Sequence, residues 1–206
     1  MFITFEGGEG TGKSTQVKLL AERLRGQGRD VLTTREPGGT PEAEALRALL
    51  VSGEPDRWTA NEELLLNFAA RSSHLRQVIV PALAKDQVVI CDRFVDSSFV
   101  YQVVAGGADQ ALFTALINSI ASTPVPNFTF ILDIDAAVGA ARAAARAATN
   151  NATAENRFER KGSEFHQKVR SAFAEIAKQQ SKRCHLISAS GSETEVAGMI
   201  WAKLHG

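Results

Sequence analysis

The sequence predicts a single three-layer α/β domain over residues 1–206, with a five-stranded parallel sheet between two layers of helices. Five short apolar runs rich in Val, Ile and Phe lack strict alternation, as expected of strands buried on both faces. These runs lie at 1–5, 30–34, 87–91, 128–133 and 184–188. Helical patterns fall between them, at 14–26, 60–84, 109–122, 136–148, 162–180 and 193–204. Strands that alternate with helices form right-handed crossovers within a parallel sheet.

The composition narrows the choice of partners. Twenty-three basic residues balance 23 acidic ones, so no overall field favours nucleic acid or an anionic membrane. Cys91 and Cys184 both fall in apolar runs, which indicates buried thiols of a reducing compartment. No apolar stretch approaches the length of a membrane span, and the N-terminus begins as a strand rather than as a signal peptide. We therefore expect a soluble, cytoplasmic protein that binds neither nucleic acid nor membrane.

A glycine-rich loop, "FEGGEGTGKST" (5–15), follows the first strand and leads into the first helix. Gly7-x-x-x-x-Gly12-Lys13-Ser14 fits the P-loop pattern in its required context. The backbone N–H groups and the helix N-terminus predict a nest for the phosphates of a nucleoside triphosphate, with Lys13 on the outer phosphates and Ser14 on Mg²⁺. A P-loop NTPase fold is thus expected. The residues predicted to bind the nucleotide in this loop are Gly7, Gly8, Glu9, Gly10, Thr11, Gly12, Lys13, Ser14 and Thr15.

Charged residues also follow the next two strands. Arg35 stands in "TREPGGT" (34–40), and Asp92 and Arg93 stand in "CDRF" (91–94). In α/β sheets ligands bind beyond the carboxyl ends of the strands, so both arginines are placed to meet phosphate, and Asp92 to orient Mg²⁺ or its water. The base-reading Asn-Lys-x-Asp pattern of GTPases does not occur in the sequence. Two phosphate-seeking arginines beside a P-loop predict phosphoryl transfer to a second phosphorylated molecule.

These motifs together resemble the thymidylate kinase family of P-loop nucleoside monophosphate kinases. The resemblance runs through most of the chain, and its most specific part is the combination of "REPGGT" with "DRFVDSSFVYQ". It implies phosphorylation of dTMP to dTDP by Mg-ATP, a cytoplasmic homodimer and a helical lid at about 140–161. The matching segments are "FEGGEGTGKST", "TREPGGT", "LLLNFAARSSHL" (64–75), "CDRFVDSSFVYQ" and "RFERKGSEFHQKVR" (157–170).

The resemblance also assigns roles. Glu9 would reach the 3′-hydroxyl of the acceptor, and Tyr101 would crowd the ribose 2′ position. Arg71 would hydrogen-bond a thymine carbonyl, with Ser98 and Gln102 reading the base edge. Catalytic roles fall on Lys13, Asp92, Arg93, Arg146 and Glu9. The acceptor-binding set is Glu9, Arg35, Phe68, Arg71, Arg93, Ser97, Ser98, Tyr101 and Gln102.

Two features depart from the family pattern. Asn67 stands where the family commonly stacks a phenylalanine on thymine, and Phe68 follows one residue later, about 100° around a helix. Either Phe68 swings in to stack, which we expect, or base affinity rests more on hydrogen bonds. The lid carries an inserted "AATNNATAE" (147–155), and Asn156 replaces the usual aspartate.

The first part of the predicted lid contains two arginines four residues apart, Arg142 and Arg146. Gly10 has no side chain to offer where one branch of the family places an arginine, so the resemblance implies a donor from the lid. We expect Arg146 to approach the transferring phosphoryl group and Arg142 to lie against adenine. Two alternatives stay open: a kinase for another nucleoside or nucleotide, and a P-loop ATPase or regulatory module that uses nucleotide as a switch.

Overall fold

A computed structural model describes residues 1–150 and 157–205, with side chains described outside 146–150. The strands are β1 (Phe2–Gly7), β2 (Val31–Arg35), β3 (Val88–Asp92), β4 (Phe128–Asp133) and β5 (Cys184–Ser188). They form one five-stranded parallel sheet with the order β2-β3-β1-β4-β5, which confirms the predicted sheet. In its register Ile3 lies between Ile90 of β3 and Phe128 of β4.

In the described part of the chain, helices separate each strand from the next. The predicted pattern at 60–84 is one continuous helical segment, because a π-helical turn at Leu75–Ile79 joins α3 to α4. Further π-helical turns extend α5 through Phe99–Val104 and α6 through Ile117–Ala121. The helices are α1 (Lys13–Gly26), α2 (Pro41–Val51), α3 (Ala60–His74), α4 (Val80–Ala84), α5 (Val95–Ser98), α6 (Gln110–Leu116), α7 (Ala136–Asn150), α8 (Ser163–Gln179) and α9 (Glu193–His205).

The sheet is buried on both faces by separate apolar clusters. Ile3 and Phe5 point to the side covered by α1 and α9, whereas Phe2 points to the side covered by α3 and α6. Alternate side chains of a strand point to opposite faces, so this division gives the three predicted layers. None of the helices within the described ranges is long and apolar enough to cross a membrane.

Local sequence explains where the helices around the site begin. Thr40 caps α2 by accepting from the N–H of Ala43, and Pro41 occupies the first turn. Thr59 and Glu62 form a reciprocal capping box at the start of α3. Because β2, β3 and β1 are parallel neighbours in the sheet, the loops that follow them meet along one edge of it.

Candidate active site

The loop after β1 has the curved backbone that the P-loop pattern predicts. Gly7, Gly10 and Gly12 all have positive φ angles. The Lys13 ammonium is buried inside the loop, where Nζ donates to the carbonyl oxygens of Gly7 at 3.1 Å and Gly8 at 2.8 Å. The loop thus holds a cation at its centre with backbone N–H groups around it, an arrangement suited to phosphate oxygens.

Burial and the Arg93 guanidinium lower the pKa of Lys13, while Glu9 and Asp92 oppose them, and the net pKa is about 8. Burial is the larger of the two causes that lower the pKa. A bound anion beside Lys13 and Arg93 would favour the charged form of Lys13.

Ser14 and Asp92 come together as predicted. The Ser14 hydroxyl donates to Asp92 Oδ2 at 3.1 Å, although 78 residues separate them in the sequence. This pair fits Mg²⁺, which binds oxygen ligands and usually takes only one or two from protein, with phosphates and waters completing the shell. Within residues 1–150 and 157–205, no group of three or more His, Cys, Asp or Glu side chains forms a metal cage.

Arg93 occupies the junction between the P-loop and the neighbouring cavity. Its φ of 69° is uncommon for a residue other than glycine and turns the side chain back towards β1. Its guanidinium donates to Gly7 O at 3.0 Å, Ser97 Oγ at 3.1 Å and Glu9 Oε1 at 2.7 Å. The buried carboxyl group of Glu6 stabilises this turn by accepting from the N–H of Phe94 at 2.8 Å.

Glu9 extends from the P-loop into the same cavity. Its Oε1 accepts from Arg93 and, at 3.1 Å, from the Tyr101 hydroxyl. Burial alone would raise the pKa of Glu9, but Arg93 and Lys13 outweigh it and lower the pKa to about 2. The carboxylate is therefore ionised at every physiological pH and can accept from a ligand hydroxyl.

A cavity of about 130 Å³ lies beside the P-loop, between α3 and the segment that contains α5. It brings together most of the predicted acceptor-binding residues, namely Glu9, Arg71, Arg93, Ser97, Ser98, Tyr101 and Gln102. The cavity is also lined by residues that no sequence pattern indicated, namely Glu36, Leu50, Val51, Phe94, Phe158 and Glu159.

Arg71 forms the polar floor of this cavity. Its Nε donates to Glu36 Oε2 at 2.7 Å, and its Nη2 donates to Ser98 Oγ at 3.0 Å. Its Nη1 is buried and has no hydrogen-bond partner among the described residues. Glu36 is also paired with His74, at 3.0 Å, and precedes a cis bond to Pro37. The free Nη1 fits the predicted bond to a base carbonyl.

Gln102 is connected to Arg157, near the end of the predicted lid, through hydrogen bonds to Glu63. Its Nε2 donates to Glu63 Oε2 at 2.9 Å, and Glu63 Oε1 accepts from Arg157 Nη2 at 2.6 Å. Arg157 is fully buried and donates further to backbone carbonyls at Leu50 and Pro55. The sequence held no signal for this network, because its members are 39 to 94 residues apart.

Two predicted acceptor residues do not line the cavity. Phe68 is 0% exposed, packs edge-on against Phe113 and lies under the Arg71 guanidinium at 4.6 Å from ring centroid to Cζ. Asn67 lines the cavity instead. Arg35 is 54% exposed and paired with Glu44 at 2.9 Å. Their proposed contacts with base and phosphate remain predictions that require movement of both side chains.

A second cleft, of about 310 Å³, lies on the other side of the P-loop. Arg142 lines it together with Gly10 and Thr15 and with the loop at 189–193, and its Nη1 donates to Ala189 O at 3.3 Å. This position suits the predicted contact with adenine. The Arg146 side chain lies outside the described residues, as does most of the inserted segment 147–155.

The P-loop and α7 touch through two glycines. A Cβ on Gly10 would lie 2.0 Å from Gly139 O, and a Cβ on Gly139 would lie 2.5 Å from Glu9 O. Position 10 therefore has no room for an arginine, which agrees with the expectation that another residue supplies the additional charge.

The P-loop holds a buried lysine beside a Ser–Asp pair, and the adjoining cavity has Arg71 and Arg93 in its wall. This combination defines a P-loop kinase that transfers a phosphoryl group from a nucleotide to a second small molecule. The thymidylate kinase family model matches residues 5–200, and the chain belongs to this family, whose members phosphorylate dTMP to dTDP.

Similar proteins cover nearly the whole chain. Thymidylate kinases of Caulobacter vibrioides and Afipia carboxidovorans are each 48% identical over 97% of this chain, and they are covered to 93% and 86%. The crystal structure of thymidylate kinase from Ehrlichia chaffeensis superposes with a TM-score of 0.79 at 35% identity, over 100% of this chain and 98% of that one.

Proposed function

We propose that this chain transfers the γ-phosphoryl group of Mg-ATP to the phosphate of dTMP through the residues of the two adjoining sites. One observation carries the proposal: Arg93 and Glu9 belong to the P-loop region and the acceptor cavity at once, since Arg93 bonds both Gly7 O and Glu9. A phosphate held by Arg93 would lie next to the phosphates held by the P-loop.

The mechanism depends on holding the two substrates in position and on compensating the negative charge of their phosphates. Lys13 and the loop N–H groups bind the donor phosphates, and Arg93 offsets the repulsion between donor and acceptor phosphates. Glu9 accepts from the 3′-hydroxyl, while Arg71 Nη1 donates to a carbonyl of the base. Tyr101 is held by Glu9 and Arg93 and is the residue that would exclude a 2′-hydroxyl.

Ser14 and Asp92 are the residues that would hold Mg²⁺, Ser14 directly and Asp92 directly or through water. When bound, the ion neutralises charge that develops on the phosphate oxygens. Arg146 is proposed as the further cationic donor from the lid, and Arg142 as the adenine contact.

An acceptor panel tests the function. Purified protein with Mg-ATP is offered dTMP, dUMP, dCMP and thymidine, and we expect dTMP to be the preferred acceptor. Lys13→Ala should fold normally and lose nearly all kcat, because the missing charge acts on the transferring group. Preference for another acceptor would favour the first alternative, and ATP turnover without acceptor would favour the nucleotide switch.

Assembly and location belong to the same proposal. We propose a cytoplasmic homodimer that binds neither nucleic acid nor membrane, supported by the balanced charge and by the family resemblance. The helical segments at 60–84 and 109–122 are the candidates for its interface.

A further inference from the structure

Asn67 lies on α3 one turn before Arg71, and both side chains line the acceptor cavity. Residues four apart on a helix share a face, so the two groups are neighbours on the cavity wall. The Asn67 Nδ2 donates to Glu63 O at 2.8 Å. A carbonyl oxygen only accepts, so this bond identifies the amide nitrogen and leaves Oδ1 as the acceptor that Asn67 offers.

Arg71 supplies the complementary donor. It is 2% exposed, two of its three nitrogens are bonded to Glu36 and Ser98, and Nη1 has no partner within the described chain. A buried charged donor without a partner is unfavourable, so a ligand acceptor there satisfies it. The wall therefore carries a donor and an acceptor on the same face of α3.

No aromatic face of α3 competes with this polar pair. Phe68 is fully buried, with Phe113 against its ring and the Arg71 guanidinium over it. Recognition of a base from α3 thus depends on hydrogen bonds to its edge.

We propose that Asn67 is a specificity-determining residue of this chain, whose Oδ1 accepts from a ring N–H of the acceptor base while Arg71 Nη1 donates to the adjacent carbonyl. The proposal rests on the proposed function. A pyrimidine-2,4-dione such as thymine or uracil presents an N–H beside a carbonyl oxygen. Cytosine presents a ring acceptor in place of this N–H and an amino donor in place of one of the two flanking carbonyls. The Asn67 contact would be mismatched, and Arg71 Nη1 would have only the remaining carbonyl as a partner. The pair selects diones over cytosine.

Asn67→Leu tests this, because leucine has a similar size and no amide. We expect kcat/KM for dTMP and dUMP to fall about 3- to 10-fold, the loss of one neutral hydrogen bond, with that for dCMP unchanged and KM for ATP within twofold. Gln27→Leu also exchanges a side-chain amide for leucine, at an exposed position directly after α1, and should change none of these values.

The contact can also be tested by changing the ligand instead of the protein. N3-methyl-dTMP lacks the ring N–H, and wild type should bind it more weakly than dTMP by calorimetry. That difference should shrink in Asn67→Leu, as in a double-mutant cycle. Asn67→Ser serves as the second variant if the leucine protein does not fold.

Equal losses for dTMP and dCMP, or an unchanged preference for dTMP over its N3-methyl form, would overturn the assignment. Selective binding of dTMP that depends on Asn67, without turnover of any acceptor, would support Asn67 and refute the proposed function instead.

Discussion

Glu6 is a buried carboxyl group at the end of β1 that shapes the turn carrying Arg93. It accepts from the N–H of Phe94 and hydrogen-bonds the Ser97 hydroxyl. Burial raises its pKa and Asp96 raises it further, to about 8, although Ser97 and Arg93 act in the opposite direction. At neutral pH this carboxyl is therefore largely protonated in the folded protein.

The raised pKa predicts a pH dependence of stability. Between the ordinary value of 4.5 and about 8, the folded protein retains a proton that the unfolded chain has released. The free energy of unfolding should therefore fall as pH rises through this window, by up to about 1.4 kcal/mol per pH unit from this group. Below 4.5 the contribution is fully present, and above 8 its loss is complete.

Glu6→Gln removes the titration and keeps a hydrogen-bonding side chain. Urea unfolding at pH 5, 6, 7 and 8 should show a shallower decline for the variant than for wild type. Parallel declines would show that Glu6 is ionised throughout this range, and that another group causes any pH dependence.

Residues differ in how far the sequence predicts them. Lys13, Ser14 and Asp92 were identifiable because a spacing or a strand end reveals them. Glu36 and His74 were not, because a buried polar residue is explained by partners 35 and 38 positions away rather than by its neighbours. Phe68 was predicted to stack on the base because an aromatic side chain stands one position from the family's stacking residue. In the structure it is buried against Phe113, so this contact stays a prediction that requires the side chain to move.

At the scale of the element, the five strands were predictable because fully buried parallel strands are short apolar runs. Two helical segments, Pro41–Val51 and Val95–Val104, were not predicted. The second begins with a turn of only four residues and continues as a π-helix, so its apolar residues lack the 3.6-residue period.

Because α7 contacts the P-loop at Gly139, we expect a substitution there to affect both stability and activity. Glycine to alanine within a helix ordinarily stabilises by up to about 1 kcal/mol. At Gly139 the new Cβ would lie 2.5 Å from Glu9 O, so backbone must move. We expect Gly139→Ala to lower the unfolding midpoint and to reduce kcat, because the P-loop shifts with Glu9.

Gly198 provides the matched control, since it lies in α9 and a Cβ there meets nothing within 4 Å. Gly198→Ala should raise the unfolding midpoint and leave kcat unchanged. Equal stabilisation by both substitutions would show that α7 can shift to accommodate the new Cβ without cost, and that its contact does not constrain the P-loop.

At the scale of the whole molecule, α3 and α6 leave apolar side chains exposed in the described part of the chain. Leu65 on α3 is 48% exposed, and Leu112, Phe113 and Leu116 of α6 are only partly buried. These helices pack on the same apolar cluster of the sheet. A second copy related by a two-fold axis would bury this surface on both protomers.

Leu65→Glu tests the proposed homodimer, because it would place a charge at the symmetric interface twice. Burying a leucine contributes about 1.5–3 kcal/mol, and an unpaired buried carboxylate costs more. In light scattering coupled to size exclusion, wild type should elute at twice the chain mass of 22.1 kDa and Leu65→Glu at the single mass. Leu186→Glu, equally exposed at 46% but on edge strand β5, should remain dimeric. A monomeric wild type at concentrations that support full activity would refute the dimer, and dissociation by Leu186→Glu instead would move the interface to β5.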